Sequence, residues 1–96
     1  MTLDQKQSQL SVVIPVYNEE GHLKLRVDQF VTVLDAVIGS GQWEMHLINN
    51  GSTDDTAVII NNLAARWSSV IGQALPTPNY GLAIRHGVMQ ARHAFI

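Results

Sequence analysis

The sequence predicts an α/β fold with a parallel sheet and a β-α-β-α-β-α element order. Three observations carry this expectation. Short apolar runs, the first of them rich in β-branched residues, have the length of buried strands. Each run is followed by a segment with apolar residues at helical spacing. Each run also stops abruptly in a polar cluster, as strands do where an α/β sheet meets a ligand. Strict alternation of strand and helix implies parallel pairing through right-handed crossovers.

Leu10 to Val16 reads as strand one, with Val12, Val13, Ile14 and Val16 apolar and β-branched. Pro15 sits near its end, where a missing N–H is easiest to tolerate. Gly21 to Ile38 reads as helix one, with Leu23, Val27, Phe30, Leu34 and Val37 or Ile38 as its apolar stripe. Gly39-Ser40-Gly41 ends it. Trp43 to Ile48 reads as strand two. Helix two runs from about Thr53 to Trp67, with Ser52 or Thr53 as N-cap and Asp54 and Asp55 favoured by the helix dipole. Ile60, Leu63, Ala64 and Trp67 form its buried side. Ser69 to Leu75 is a weaker third strand, and Pro76-Thr-Pro78-Asn79 is a loop. Helix three spans about Gly81 to Ala94, with Ile84, Val88, Ala91 and Phe95 on one face. Met1 to Gln9 reads as a flexible polar leader, and Phe95-Ile96 as the opening of another strand.

Ninety-six residues allow one domain at most. A hydrophobic content of 46% excludes wholesale disorder. Net charge is −2, and Lys6, Lys24, Arg26, Arg66, Arg85 and Arg92 are scattered, which argues against nucleic acid as a partner. With no cysteine, disulfides and thiolate metal sites are excluded. No apolar run approaches the ~20 residues of a membrane span. His22, His46, His86 and His93 share no helical register, and no carboxylate stands near them at ligand spacing, so a metal site built on them is not expected. Neither a Gly-x-Gly-x-x-Gly nor a P-loop pattern occurs.

The polar clusters are Tyr17-Asn-Glu-Glu20, Asn49-Asn-Gly-Ser52 and Asn79-Tyr-Gly81. In a parallel sheet the carboxyl ends share one edge, so the three should converge there. Turn residues follow most strands, so any one cluster is equally well a plain turn. Tyr17 offers a flat apolar face and Glu19 a hydrogen-bond acceptor, and both also suit a strand end and a helix start. Asn50 can accept or donate. Gly51 marks a position that a Cβ would hinder. Ser52, Asp54 and Asp55 read as capping residues. Arg85 fits a phosphate contact and a solvated helix position equally.

Val13-Ile-Pro-Val-Tyr-Asn-Glu19, Leu47-Ile-Asn-Asn-Gly-Ser-Thr-Asp54 and Asn79-Tyr-Gly-Leu-Ala-Ile-Arg-His-Gly87 together resemble the start of an inverting nucleotide-sugar glycosyltransferase of family 2. The third motif, with Ala83, Arg85 and Gly87, leans towards enzymes that glycosylate polyprenyl phosphates. The resemblance implies a three-layer, Rossmann-like GT-A fold, with this chain as the truncated nucleotide-binding half. It makes Pro15, Tyr17, Glu19, Ile48 and Asn50 the nucleotide-contacting positions and an NDP-sugar the partner. The family often carries aspartate where Asn50 stands, so base preference is open. Its Asp-x-Asp metal motif and catalytic base do not occur in this sequence. Mg²⁺ or Mn²⁺ is therefore expected of the full-length domain only, and no catalytic residue is assigned.

The resemblance further implies a cytoplasmic location, at the face of a membrane if the acceptor is a polyprenyl phosphate. It also leaves strand one as an exposed, Val/Ile-rich sheet edge, through which the chain could form a homodimer. A non-catalytic nucleotide-binding module is the rival reading. A flavodoxin- or receiver-like domain ranks lower, because Leu75-Pro-Thr-Pro78 offers no aspartate after strand three.

Overall fold

The computed structural model describes residues 10–90. Its elements are β1 (Leu10–Val16), α1 (Leu23–Val37), β2 (Trp43–Asn50), α2 (Thr56–Arg66), β3 (Val70–Leu75) and α3 (Tyr80–Gln90). The proposed leader, the last turn expected of the third helix and the strand start at Phe95-Ile96 lie outside the described residues.

The three strands form one parallel sheet in the order β1-β2-β3. Val16 stands opposite Asn49, and Asn50 opposite Leu75. All eight residues of β2 are buried, as expected of a central strand covered on both faces. Successive side chains alternate. Trp43, Met45 and Leu47 pack towards α1 and α2, joining Leu23, Val27, Val31, Ile60 and Leu63 in the main core. Ile48 turns the other way and packs with Leu75, Ala83 and Val13 beneath α3. The sheet is thus the middle of three layers, the α/β arrangement expected from the sequence.

Two helix stripes differ from expectation. On α1 the fully buried residues are Leu23, Val27 and Val31, while Phe30 and Val37 are exposed. Phe30 lines an open cavity together with Ile14 and Val16 of β1. Among the described residues β1 is an edge strand, and no further strand lies on that flank of the helix. On α3 the residues against the sheet are Ala83 and Gly87, and Ile84 and Val88 are only half-buried. Small residues let the helix approach closely. A Cβ on Gly87 would fall on Val13 Cγ1 and stand 3.3 Å from Ile48 Cγ1. The indoles of Trp43 and Trp67 donate to Asp35 and Asp28 of α1, at 2.9 and 3.3 Å.

The expectation that the histidines lack a carboxylate neighbour is corrected by His46. Its Nε2 lies 3.1 Å from Glu44 Oε2, and both residues are buried. Ser11 Oγ donates to the same carboxylate oxygen at 2.6 Å, and Gln73 Nε2 lies 2.9 Å from His46 Nδ1. Glu44 and His46 are two residues apart on one strand, so they project from the same face. The strand period, and not a helical one, was the relevant spacing.

Candidate functional site

The site stands at the carboxyl end of the sheet, where three loops meet. After β1 the chain turns at Asn18, which adopts a left-handed φ of 50°. Asparagine tolerates that region better than most residues. The turn aims a row of backbone N–H groups at the loop after β2. Asn18 N donates to Ser52 Oγ at 3.0 Å, and Glu19 N to Thr56 Oγ1 at 2.9 Å. Glu20 N donates to Asp54 Oδ2 at 3.3 Å. The second loop answers: Thr53 N donates to Asn18 Oδ1 at 2.8 Å and Asp55 N to Glu20 Oε1 at 2.8 Å. These reciprocal bonds join the first two polar clusters.

The sequence placed the N-cap of the second helix at Ser52 or Thr53. The helix begins instead at Thr56, and both residues spend their side chains on the first loop. Asp55 occupies the N-cap position without a side-chain cap bond, and Asp54, the residue before it, holds the first helical N–H instead. Asp54 Oδ1 accepts from Thr56 N at 2.9 Å and from Thr56 Oγ1. Burial alone would raise the Asp54 carboxyl, but its hydrogen bonds from Thr56 and Glu20 outweigh that and hold it below the ordinary aspartate value.

The third cluster is tied in through Asn50. Its Oδ1 accepts from Asn79 N at 2.7 Å. Asn79 in turn caps α3, its Oδ1 accepting from Leu82 N at 3.0 Å. Gly51, at φ 70°, packs under the loop before α3, where a Cβ would overlap Thr77 C and Pro78 N. All three clusters therefore meet at one sheet edge, and hydrogen bonds link each to the next.

The residues expected to contact a nucleotide fall into two groups. Pro15, Tyr17 and Glu19 line an open cavity of about 330 Å³ together with Leu23, Arg26 and Phe30. Tyr17 is half exposed. Ile48 and Asn50 are not part of that cavity. The Ile48 side chain is wholly buried under α3, leaving only its backbone to a ligand. Asn50 is 6% exposed at the end of the central strand. Arg85 is exposed on α3, beside Leu82, His86 and Met89, on a surface separate from that cavity. Arg26 and Phe30 escaped the sequence reading of the site. Their spacing from Leu23 (three and seven residues) places all three on one helix flank, which was the available signal.

Among the described residues no three His, Cys, Asp or Glu side chains gather in a position to hold a metal ion. The Mg²⁺ or Mn²⁺ implied by the resemblance thus finds no ligand set in residues 10–90. No helix among the described residues is long and apolar enough to cross a membrane.

The profile of glycosyl transferase family 2 matches residues 11–96. A dolichyl-phosphate beta-glucosyltransferase of Trichomonas vaginalis is 30% identical over 93 residues, which cover 93% of this chain and 28% of that protein. An undecaprenyl-phosphate 4-deoxy-4-formamido-L-arabinose transferase of Edwardsiella ictaluri is 36% identical over 72 residues, covering 75% of this chain and 22% of that protein. The crystal structure of S. aureus TarS superposes with a TM-score of 0.72 at 19% identity, covering 92% of this chain and 16% of that one. That likeness establishes the GT-A, Rossmann-like fold. The chain spans about a quarter of the length of these two relatives. With a profile match across nearly all of its length, on a fold of the same architecture, the chain belongs to glycosyl transferase family 2.

Proposed function

We propose that this chain forms the donor-nucleotide half of a sugar transferase that uses an NDP-sugar, with a polyprenyl phosphate as the acceptor. The observation that carries this reading is the junction of three polar strand ends into one hydrogen-bonded edge beside a cavity walled by Tyr17 and Glu19. Tyr17 offers a flat apolar face to the base, and Glu19 an acceptor for a ribose hydroxyl. The Glu19 backbone is held twice, through its N–H to Thr56 and through its carbonyl, which accepts from His22 N and Leu23 N. The carboxylate is therefore presented from a fixed backbone.

In the full reaction the anomeric carbon exchanges its bond to the diphosphate oxygen for one to the acceptor oxygen, with inversion, and the nucleoside diphosphate leaves. The 96 residues bind the nucleotide and do not complete transfer by themselves. The polyprenyl-phosphate acceptor is supported by relatives named for dolichyl- and undecaprenyl-phosphate. A lipid-phosphate acceptor of the kind in those names would place the transfer at a membrane surface.

Calorimetric titration with CDP, UDP, ADP and GDP, with and without Mn²⁺, tests the reading. Binding of at least one nucleotide is expected, unchanged by metal and lost in Tyr17→Ala. Failure of all four to bind overturns it.

A further inference from the structure

We infer that the outer face of α3 docks on an anionic lipid surface, with Leu82 and Met89 entering the headgroup layer and Arg85 meeting a lipid phosphate. Neither the nucleotide nor the acceptor proposed above is needed for this contact.

The charge of the chain is segregated. Residues 1–55 hold all eight aspartates and glutamates, and residues 56–96 hold none beside Arg66, Arg85 and Arg92. The sheet turns this into two unlike faces. α1 and α2 pack on one side of it and α3 on the other. Asp28 and Asp35 stand on α1, and Asp54 and Asp55 precede α2. From Val70 to Gln90, which spans β3, the connecting loop and α3, Arg85 is the one fixed charge. Glu44 shares the α3 side of the sheet with Ile48, but it is buried and accepts from Ser11 Oγ at 2.6 Å. No exposed carboxylate therefore belongs to α3 or to the segment that leads into it.

The outer face of α3 is also apolar. Ala83 and Gly87 are its buried residues. Leu82, Arg85, His86 and Met89, three and four residues apart, line one open depression of about 290 Å³. Leu82 is 47% exposed and Met89 72%. They stand about 10 Å apart along the helix, with Arg85 between them. An arginine so placed lays its stem along apolar surface and keeps its head at the level of the phosphates. A helix that carries apolar side chains and a cation on one face suits the plane of a membrane interface. One fixed charge is too few to hold a nucleic-acid backbone, which is bound by many phosphate contacts. A lipid surface uses the charge and the apolar side chains together.

The test is cosedimentation of the 96-residue chain with two kinds of vesicle, phosphatidylcholine alone and an equal mixture with phosphatidylglycerol. Neither contains a polyprenyl phosphate. Partition into the mixed vesicles should exceed that into phosphatidylcholine by about fivefold or more, and should fall in high salt. Arg85→Glu and Met89→Gln should each weaken it by about fivefold or more. Both side chains are exposed, so circular dichroism should show the fold retained. Arg66→Glu on α2 changes the net charge equally and should alter partition by less than about twofold. Absence of binding to the mixed vesicles overturns the inference, as does equal binding to both kinds. So does an Arg66→Glu effect as large as that of Arg85→Glu. Self-association of the lipid-free chain that Met89→Gln abolishes would put a second copy on this face and overturns it too. A chain that binds nucleotide but ignores the vesicles loses this inference alone.

Discussion

Gly87→Ala sets two effects of similar size against each other. Gly87 lies inside α3, and alanine in a helix interior is favoured over glycine by about 0.5–1 kcal/mol. On propensity alone the substitution stabilises. Packing opposes it. The new methyl would overlap Val13 Cγ1 and come within 3.3 Å of Ile48 Cγ1 and Val13 Cβ. Carbon atoms prefer separations of about 3.5–4.0 Å, so α3 must lift from the sheet or Val13 must turn. Ile48 cannot yield, because it is wholly buried. Overpacking of this kind costs about 1–3 kcal/mol, and lifting α3 also loosens Ala83 against Leu75 and Ile48. Net destabilisation of about 1–2 kcal/mol follows, a fall of roughly 5–15 °C in Tm for a domain of this size. Thermal melting followed by circular dichroism measures it. Gly81→Ala is the control, because nothing but Asn79 Oδ1, at 3.8 Å, lies near its added methyl. A Gly87→Ala protein that melts at or above the parent temperature would refute the close-approach argument.

The remaining predictions concern the loops, acid stability and the sheet edge. Thr56→Val keeps the shape of a fully buried side chain but leaves Glu19 N–H without its acceptor, so chemical denaturation should report a loss of about 1–3 kcal/mol. Asn18→Ala removes the bond that Thr53 N donates and strains a left-handed turn, so it should lower stability by about 1–2 kcal/mol and weaken nucleotide binding; Asn18→Gly should recover stability in part but not the Thr53 bond. Asp28 lies below the ordinary aspartate value, chiefly because Lys24 bonds its carboxylate, and Asp54 lies below it as well. Depressed carboxylates stabilise the fold above their unfolded pKa and lose that effect as protons bind. Stability should therefore hold from neutral pH down to about pH 4 and fall below it, with a smaller fall in Asp54→Asn; acid titration of unfolding that shows no such difference contradicts the assignment. Among the described residues β1 presents an unpaired parallel edge with Val12, Val13 and Ile14 half-buried, so a homodimer through that edge should give concentration-dependent sedimentation; a single monomer boundary at all concentrations counts against it.

The sequence alone determined the order of elements and the sheet end at which the polar clusters meet. Strand runs such as Leu10–Val16 and helix stripes such as Leu23 to Leu34 are local patterns, set by which side chains avoid water at periods of 2 and 3.6 residues. The polar ends of the strands were legible for the same reason, since apolar burial stops where the sheet edge reaches solvent. Which side chains face one another depended on tertiary structure. Phe30 reads as core in the helical pattern and is exposed, because burial depends on what the fold packs against that flank of α1. Glu44 and His46 look unremarkable in the chain, yet the sheet buries both, and burial makes their pairing obligatory. Ser52 and Thr53 have the chemistry of caps, and the left-handed turn at Asn18 recruits them across 34 or 35 positions of sequence. Asn50 gives the sharpest contrast. Its identity is plain in the sequence, but an amide offers both an acceptor and donors. Only the fold, by bringing Asn79 N to 2.7 Å from the oxygen, commits its acceptor end to the start of α3.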